Sequence, residues 1–113
     1  MKVVRAGDTP EAPVGGEIFE GTVHRRPMIE AEETGAPVSV GLVRFTNGAR
    51  NRRHVHTANQ LLYITEGEGI VADEHEDHLV HAGDIVHVTA GEVHWHGAAP
   101  GKDMAHLSIM APC

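Results

Sequence analysis

The run Gly48-Ala49-Arg50-Asn51-Arg52-Arg53-His54-Val55-His56-Thr57-Ala58-Asn59-Gln60-Leu61-Leu62-Tyr63-Ile64-Thr65-Glu66-Gly67 decides how the rest of the chain is read. His54 and His56 stand two residues apart. Alternate side chains of an extended strand share a face, so both imidazoles are expected to point the same way. Thr57, Ala58 and Asn59 have turn character, and Gln60 opens a second apolar run, Leu61 to Ile64, which reads as the return strand of a hairpin. A hairpin sets the first residue of the return strand beside the last of the outgoing one, so His54, His56 and Gln60 are expected to converge. A further pair of histidines lies far downstream in His94-Trp95-His96, and the reading that unites these residues has the chain bring His94 against the first three.

The flanking segments alternate in the manner of strands. Glu17 to Ile29 reads as one or two strands broken near Gly21, and Val38 to Phe45 as another, with Val38, Val40 and Leu42 on one face and Val43 and Phe45 on the other. Lys2 to Arg5 is a possible first strand, within an extended lead-in over residues 1–16 that carries Pro10, Pro13, Gly7, Gly15 and Gly16. Residues 30–36 read as a helical turn or a loop. Glu66-Gly67-Glu68-Gly69 reads as a turn, and Ile70 to Ala72 as the start of a strand. Asp73 to His78 with Leu79 to Ala82 reads as a hairpin with a solvated tip. Further strands are expected at Ile85 to Val88, Val93 to Gly97 and Met104 to Met110, with turns at Gly83-Asp84, at Thr89 to Glu92 and through Ala98 to Asp103. No segment holds a 3.6-residue apolar period over helix length. About ten short strands with glycine-containing turns predict an all-β sandwich or barrel. A barrel suits the chain because closure removes exposed edges and turns every second residue inward.

Composition narrows the function. At 113 residues the chain fits a single domain, residues 1–113. No apolar run approaches the roughly 20 residues of a membrane span, and the N-terminus lacks a signal-peptide core, so a cytoplasmic protein with no membrane partner is expected. Cys113 is the only cysteine, which rules out an intramolecular disulfide. A net charge of −7 argues against nucleic-acid binding. Arg50, Arg52 and Arg53 form a local exception. They read as a solvated strand face and loop, the alternative being a positive collar on an anion-accepting pocket. Ten histidines are many for this length, and only their spacing sorts ligands from surface residues.

Two windows are in register. The first sets Gly48, His54, His56, Gln60 and Gly67; the second sets Gly83, Thr89-Ala90-Gly91 and His94. Together they resemble the two conserved motifs of the cupin superfamily, with Gln60 in place of the usual glutamate and Thr89 in place of the usual proline. The resemblance covers residues 48 to 96. It implies a small β-barrel, a double-stranded β-helix or jelly roll, enclosing a divalent metal bound by His54, His56, Gln60 and His94. The residue chemistry agrees: imidazoles suit first-row transition metals, and an amide oxygen adds a hard ligand. A glutamate would cancel one of the ion's charges, whereas Gln60 cancels none and leaves a stronger Lewis acid that binds less tightly.

His96 shares the parity of His94, and His106 lies on the last strand with Ser108 and Met110. Both are candidate catalytic histidines, able to accept or donate a proton from the pocket. Val43, Leu61, Tyr63 and Met110 are candidates for the pocket wall by strand position. Phe45 and Trp95 read as packing residues.

The C-terminal run His94-Trp95-His96-Gly97-Ala98-Ala99-Pro100 with Met104-Ala105-His106-Leu107 is similar to a narrower group, short bacterial manganese cupins that include hydroxynitrile lyases. That resemblance implies a metal-dependent enzyme, with manganese the leading metal and iron, nickel and zinc as alternatives. It acts on a small oxygenated molecule by making or cleaving a cyanohydrin, with His96 and His106 handling protons and cyanide. It departs at Arg52 and Arg53 and at Met110, all at the pocket edge. A cupin dioxygenase and a non-enzymatic small-molecule binder are the other readings. A homodimer is expected from the family.

Overall fold

The two longest strands form the frame of the molecule: β3 (Ser39–Asn51) and β4 (Ala58–Ala72). The computed structural model describes residues 1–31 and 38–112. The other strands are β1 (Ala12–Val14), β2 (Phe19–Ile29), β5 (Asp77–His81), β6 (Ile85–Val88), β7 (Trp95–Ala98) and β8 (Met104–Pro112). Every pairing is antiparallel. β1 lies on β2 and β2 on β3. β8 sits between the first half of β3 and the first half of β4. β7 joins the last residues of β3 to the last residues of β4. The path β3–β8–β4–β7–β3 therefore closes on itself, and β5 and β6 extend it along β4. The all-β barrel is what the turn spacing predicts.

The strand set differs from expectation in three places. First, β3 and β4 do not pair, so the hairpin across Gly48 to Gly67 is not formed. Residues 52–57 cross the barrel instead, tied midway by an isolated bridge from His54 to His94. Second, Glu66 to Gly69 is no turn. β4 runs straight through it, with a register shift between Ile64 and Glu66, and passes from its β8 and β6 partners to β5 and β7. The glycines allow this passage. Gly67 has φ +78°, and a Cβ on it would overlap the Asp103 carbonyl oxygen. A Cβ on Gly69 would stand 2.7 Å from the Gly97 carbonyl oxygen. Third, Lys2 to Arg5 is not a strand, and eight strands rather than about ten occur among the described residues. The break expected near Gly21 is present as a register shift between Glu20 and Thr22 within one strand. Most of the 30–36 segment and Cys113 lie outside the described residues.

The core fills the barrel from the inward face of each strand. Phe45, Leu62, Ile64, Met104 and Val23 are fully buried, and Val71, Val80 and Val88 pack with them. Burying each large side chain of this kind contributes about 2 kcal/mol. Among the described residues no helix is long and apolar enough to cross a membrane.

Gly67→Ala should lower stability by about 3 kcal/mol, because it adds a clash with rigid backbone to a left-handed dihedral. Gly83→Ala, at φ +97° with nothing within 4 Å of its Cβ, should cost about 1 kcal/mol. Urea unfolding of the two variants side by side measures the difference.

Candidate metal centre

Backbone pairing delivers the first two ligand candidates. His54 and His94 exchange both backbone hydrogen bonds, each 2.9 Å, and residues directly opposite in an antiparallel bridge share a face. Their rings lie 4.3 Å apart between centroids. His56 is anchored by the Gly91 N–H, which donates to its carbonyl at 2.8 Å, and its ring stands 5.2 Å from that of His94. One ligand nitrogen from each of His54, His56 and His94 lies within 4.8 Å of the others.

The tautomers are set by the backbone. His54 Nδ1 faces the Arg52 carbonyl at 2.6 Å, and His94 Nδ1 faces the Glu92 carbonyl at 2.9 Å. A carbonyl only accepts, so each Nδ1 carries the proton and each Nε2 presents a lone pair. Metal-bound histidines are oriented by such outer partners. His94 Nε2 is buried without a hydrogen-bond partner. His54 Nε2 and His56 Nε2 stand 3.1 Å apart. Two nitrogens each about 2.1 Å from one ion and at a right angle are about 3.0 Å apart, so the spacing fits a shared metal. Gln60 Nε2 donates to Ser108 Oγ at 2.8 Å, which leaves Gln60 Oε1, also buried and without a partner, as an available oxygen ligand. The three histidines can hold a metal ion. Burial, and then the neighbouring His54 and His94, push His56 below the usual imidazole range; His94 is lowered chiefly by burial. Both effects favour the neutral, ligating form.

Beside this cluster lies a second one, wholly buried. Asn51 Oδ1 accepts from the His96 backbone N–H at 2.8 Å, which orients the amide so that Nδ2 donates to His96 Nε2 at 3.1 Å. His96 Nδ1 then carries a proton and donates to His106 Nε2 at 3.1 Å. That leaves the proton of His106 on Nδ1, buried and unpartnered. Phe45 packs against both rings, 5.8 Å from His96 and 5.6 Å from His106. Burial holds His96 well below the usual range, with the neighbouring histidines adding to it, and pushes His106 down to about 4.

Both clusters open on a cavity of about 240 Å³ lined by His54, His56, Gln60, His96 and His106 with Val43, Phe45, Ser108 and Met110. Of the candidate wall residues, Val43 and Met110 line this cavity. Leu61 and Tyr63 are not: they lie on the outer surface, 36% and 41% exposed. The reason is parity. Gln60 faces inward, so Leu62 and Ile64, both fully buried, share its face, and Leu61 and Tyr63 point away. Arg50, Arg52 and Arg53 form no collar. Arg50 stacks over Trp95 at 3.6 Å, Arg52 pairs with Glu20 at 3.0 Å and Arg53 is exposed, so the solvated-face reading holds.

Asn51, Ser108 and Arg25 also line the cavity and were not expected from the sequence. For Arg25 a signal exists: the inward face through Phe19, Gly21 and Val23 continues to it. Asn51 has none, because its role depends on a residue of another strand.

A family model described as a cupin domain matches residues 41–110. The chain is 36% identical to the (R)-mandelonitrile lyase of Granulicella tundricola, covering 96% of this chain and 83% of that protein. A cupin-like protein from Thermotoga maritima, 30% identical, superposes with a TM-score of 0.85 over 88% of this chain and 76% of that one. A predicted oxalate decarboxylase from the same organism superposes at 0.89 over 99% of this chain and 100% of that one; at 21% identity it shares the fold alone.

The buried histidines predict acid sensitivity in the metal-free protein. His106 titrates near 6.5 unfolded and about 4 folded, so the unfolded state binds more protons between these values. Its contribution is full above pH 6.5 and is lost as pH falls towards 4, by about 3 kcal/mol. Urea midpoints measured from pH 8 to pH 4.5 should fall steeply below pH 6.5, and less steeply in His106→Phe.

Proposed function

This chain belongs to the cupin family, and from that membership we propose that it is a metal-dependent enzyme acting on a small oxygenated molecule, a carbon–carbon lyase of the hydroxynitrile type. The observation that carries the proposal is the juxtaposition of two histidine clusters in one cavity. One presents lone pairs suited to a metal, and the other presents an unpartnered N–H. The likeness to an (R)-mandelonitrile lyase supports the reaction class.

A divalent ion, with manganese as the leading choice, would be held by His54, His56, His94 and Gln60, keep its full charge among neutral ligands, and act as a Lewis acid on a hydroxyl oxygen. The chain's own residues do the rest. Cleavage of a hydroxynitrile breaks one carbon–carbon bond and moves one proton from the hydroxyl to cyanide. His106 Nδ1–H would donate a hydrogen bond to the departing cyanide. Asn51 and His96 hold His106 in that tautomer through the relay of hydrogen bonds. Val43, Phe45 and Met110 supply an apolar wall that excludes water from the reacting groups.

The decisive experiment is elemental analysis of protein purified without added metal, followed by a mandelonitrile cleavage assay under air and under argon. Benzaldehyde release at equal rates in both is expected. Turnover only with oxygen would place the protein with the dioxygenases instead. The double variant His54→Ala/His56→Ala should lose bound metal and at least about 100-fold in activity. His106→Ala should keep the metal and lose about 10–100-fold in kcat. Gln60→Glu should bind the metal more tightly and turn over more slowly, because an anionic ligand weakens the Lewis acid.

A further inference from the structure

Among the described residues, Arg25 is the one formally charged side chain that lines the cavity, and no aspartate or glutamate lines it beside Arg25. Its neighbours on the same sheet show how unusual this is. Arg26, next in sequence, points outward, and its Nη1 donates to the Ala6 carbonyl at 3.2 Å. Arg44, on β3, is held at 3.1 Å by Glu11 and at 2.6 Å by Glu66. The Arg25 side chain has no hydrogen bond or ion pair among the described residues.

The register shows where its guanidinium lies. Arg25 is paired with Val43, and Val43 with His106, so the three stand in one row across the barrel wall. The next row holds Gly41 and Ser108. A Cβ on Gly41 would come within 3.4 Å of Arg25 Nη2 and 3.5 Å of Nε. The guanidinium therefore lies over the one position in that row without a side chain, one strand away from the serine that orients Gln60. A half-buried charge with no partner costs stability, and among the described residues the cavity lining offers it no acid. With a divalent ion held only by neutral ligands, every formal charge facing the cavity would be positive.

We propose that Arg25 is a specificity-determining residue that binds a carboxylate of the substrate, so that the cavity takes a small oxygenated molecule bearing an acid group in preference to its neutral counterpart. A guanidinium presents two parallel N–H donors that match a carboxylate, which a lysine does not reproduce. This deepens the reading of the cavity as the substrate site, while the role of Arg25 can be tested apart from the reaction.

The test uses metal-free protein at pH 8, with benzoate and its neutral isostere benzamide titrated by ligand-observed NMR. Benzoate should bind at least about fivefold more tightly than benzamide. The preference should disappear in Arg25→Gln, persist in part in Arg25→Lys and be unchanged in Arg26→Gln. Equal binding of the two probes, failure of both to bind, or a preference that survives in Arg25→Gln overturns the proposal. With manganese-loaded protein, 4-carboxymandelonitrile should be cleaved with a lower KM than mandelonitrile, and Arg25→Gln should remove that difference. A benzoate preference without cleavage of either nitrile supports the role of Arg25 and overturns the lyase assignment; cleavage without any anion preference does the reverse.

Discussion

Two backbone hydrogen bonds between His54 and His94, each 2.9 Å, join distant parts of the chain, and the site depends on them. Among the described residues they form the one isolated β-bridge in the crossing between β3 and β4, which the Arg52 N–H to the Ile18 carbonyl and the Gly91 N–H to the His56 carbonyl also hold. Because an antiparallel bridge sets opposite residues on one face, the same two bonds that tie the crossing to the barrel also set the two imidazoles side by side. The carbonyls of Arg52 and Glu92, each two residues before its histidine, then fix both rings in the tautomer that frees Nε2. Backbone geometry thus supplies position, and local backbone acceptors supply protonation state.

The barrel carries an unusually polar interior for its size. Asn51, Gln60, His94, His96 and His106 are all buried. A buried polar group is expected to be hydrogen-bonded, and most of these are. Among the described residues, the three buried side-chain atoms left without partners are Gln60 Oε1, His94 Nε2 and His106 Nδ1. They comprise an amide oxygen on a residue of the same cavity, a nitrogen lone pair in the His54–His56–His94 cluster, and a donor in the adjoining cluster. The fold leaves these bonds open in the site while closing them around it, for example through Ser108 on Gln60 and Asn51 on His96.

Much of the site was legible because it is encoded as spacing. His54 and His56 converge although the predicted hairpin is absent. A crossing segment that alternates, with Val55 outward at 55% exposure, presents its even residues together as a strand would. The wall was read only in part. Val43 and Met110 follow from strand position, while Leu61 and Tyr63 break the parity that Gln60 imposes on its own strand. The glycines at 67 and 69 read as a turn because positive φ is the common use of glycine. In the fold they serve close approach and a shift of sheet partner instead.

The sequence by itself determined the all-β class and the histidine set, since these depend on residue identity and on periods of two that survive any arrangement of the strands. The tertiary structure alone decided which strands are neighbours. That placed Asn51 behind His96, set Ser108 on Gln60 and turned Arg25 over Gly41 into the cavity. Each of these contacts joins residues on different strands, and no local pattern records which distant backbone will lie alongside.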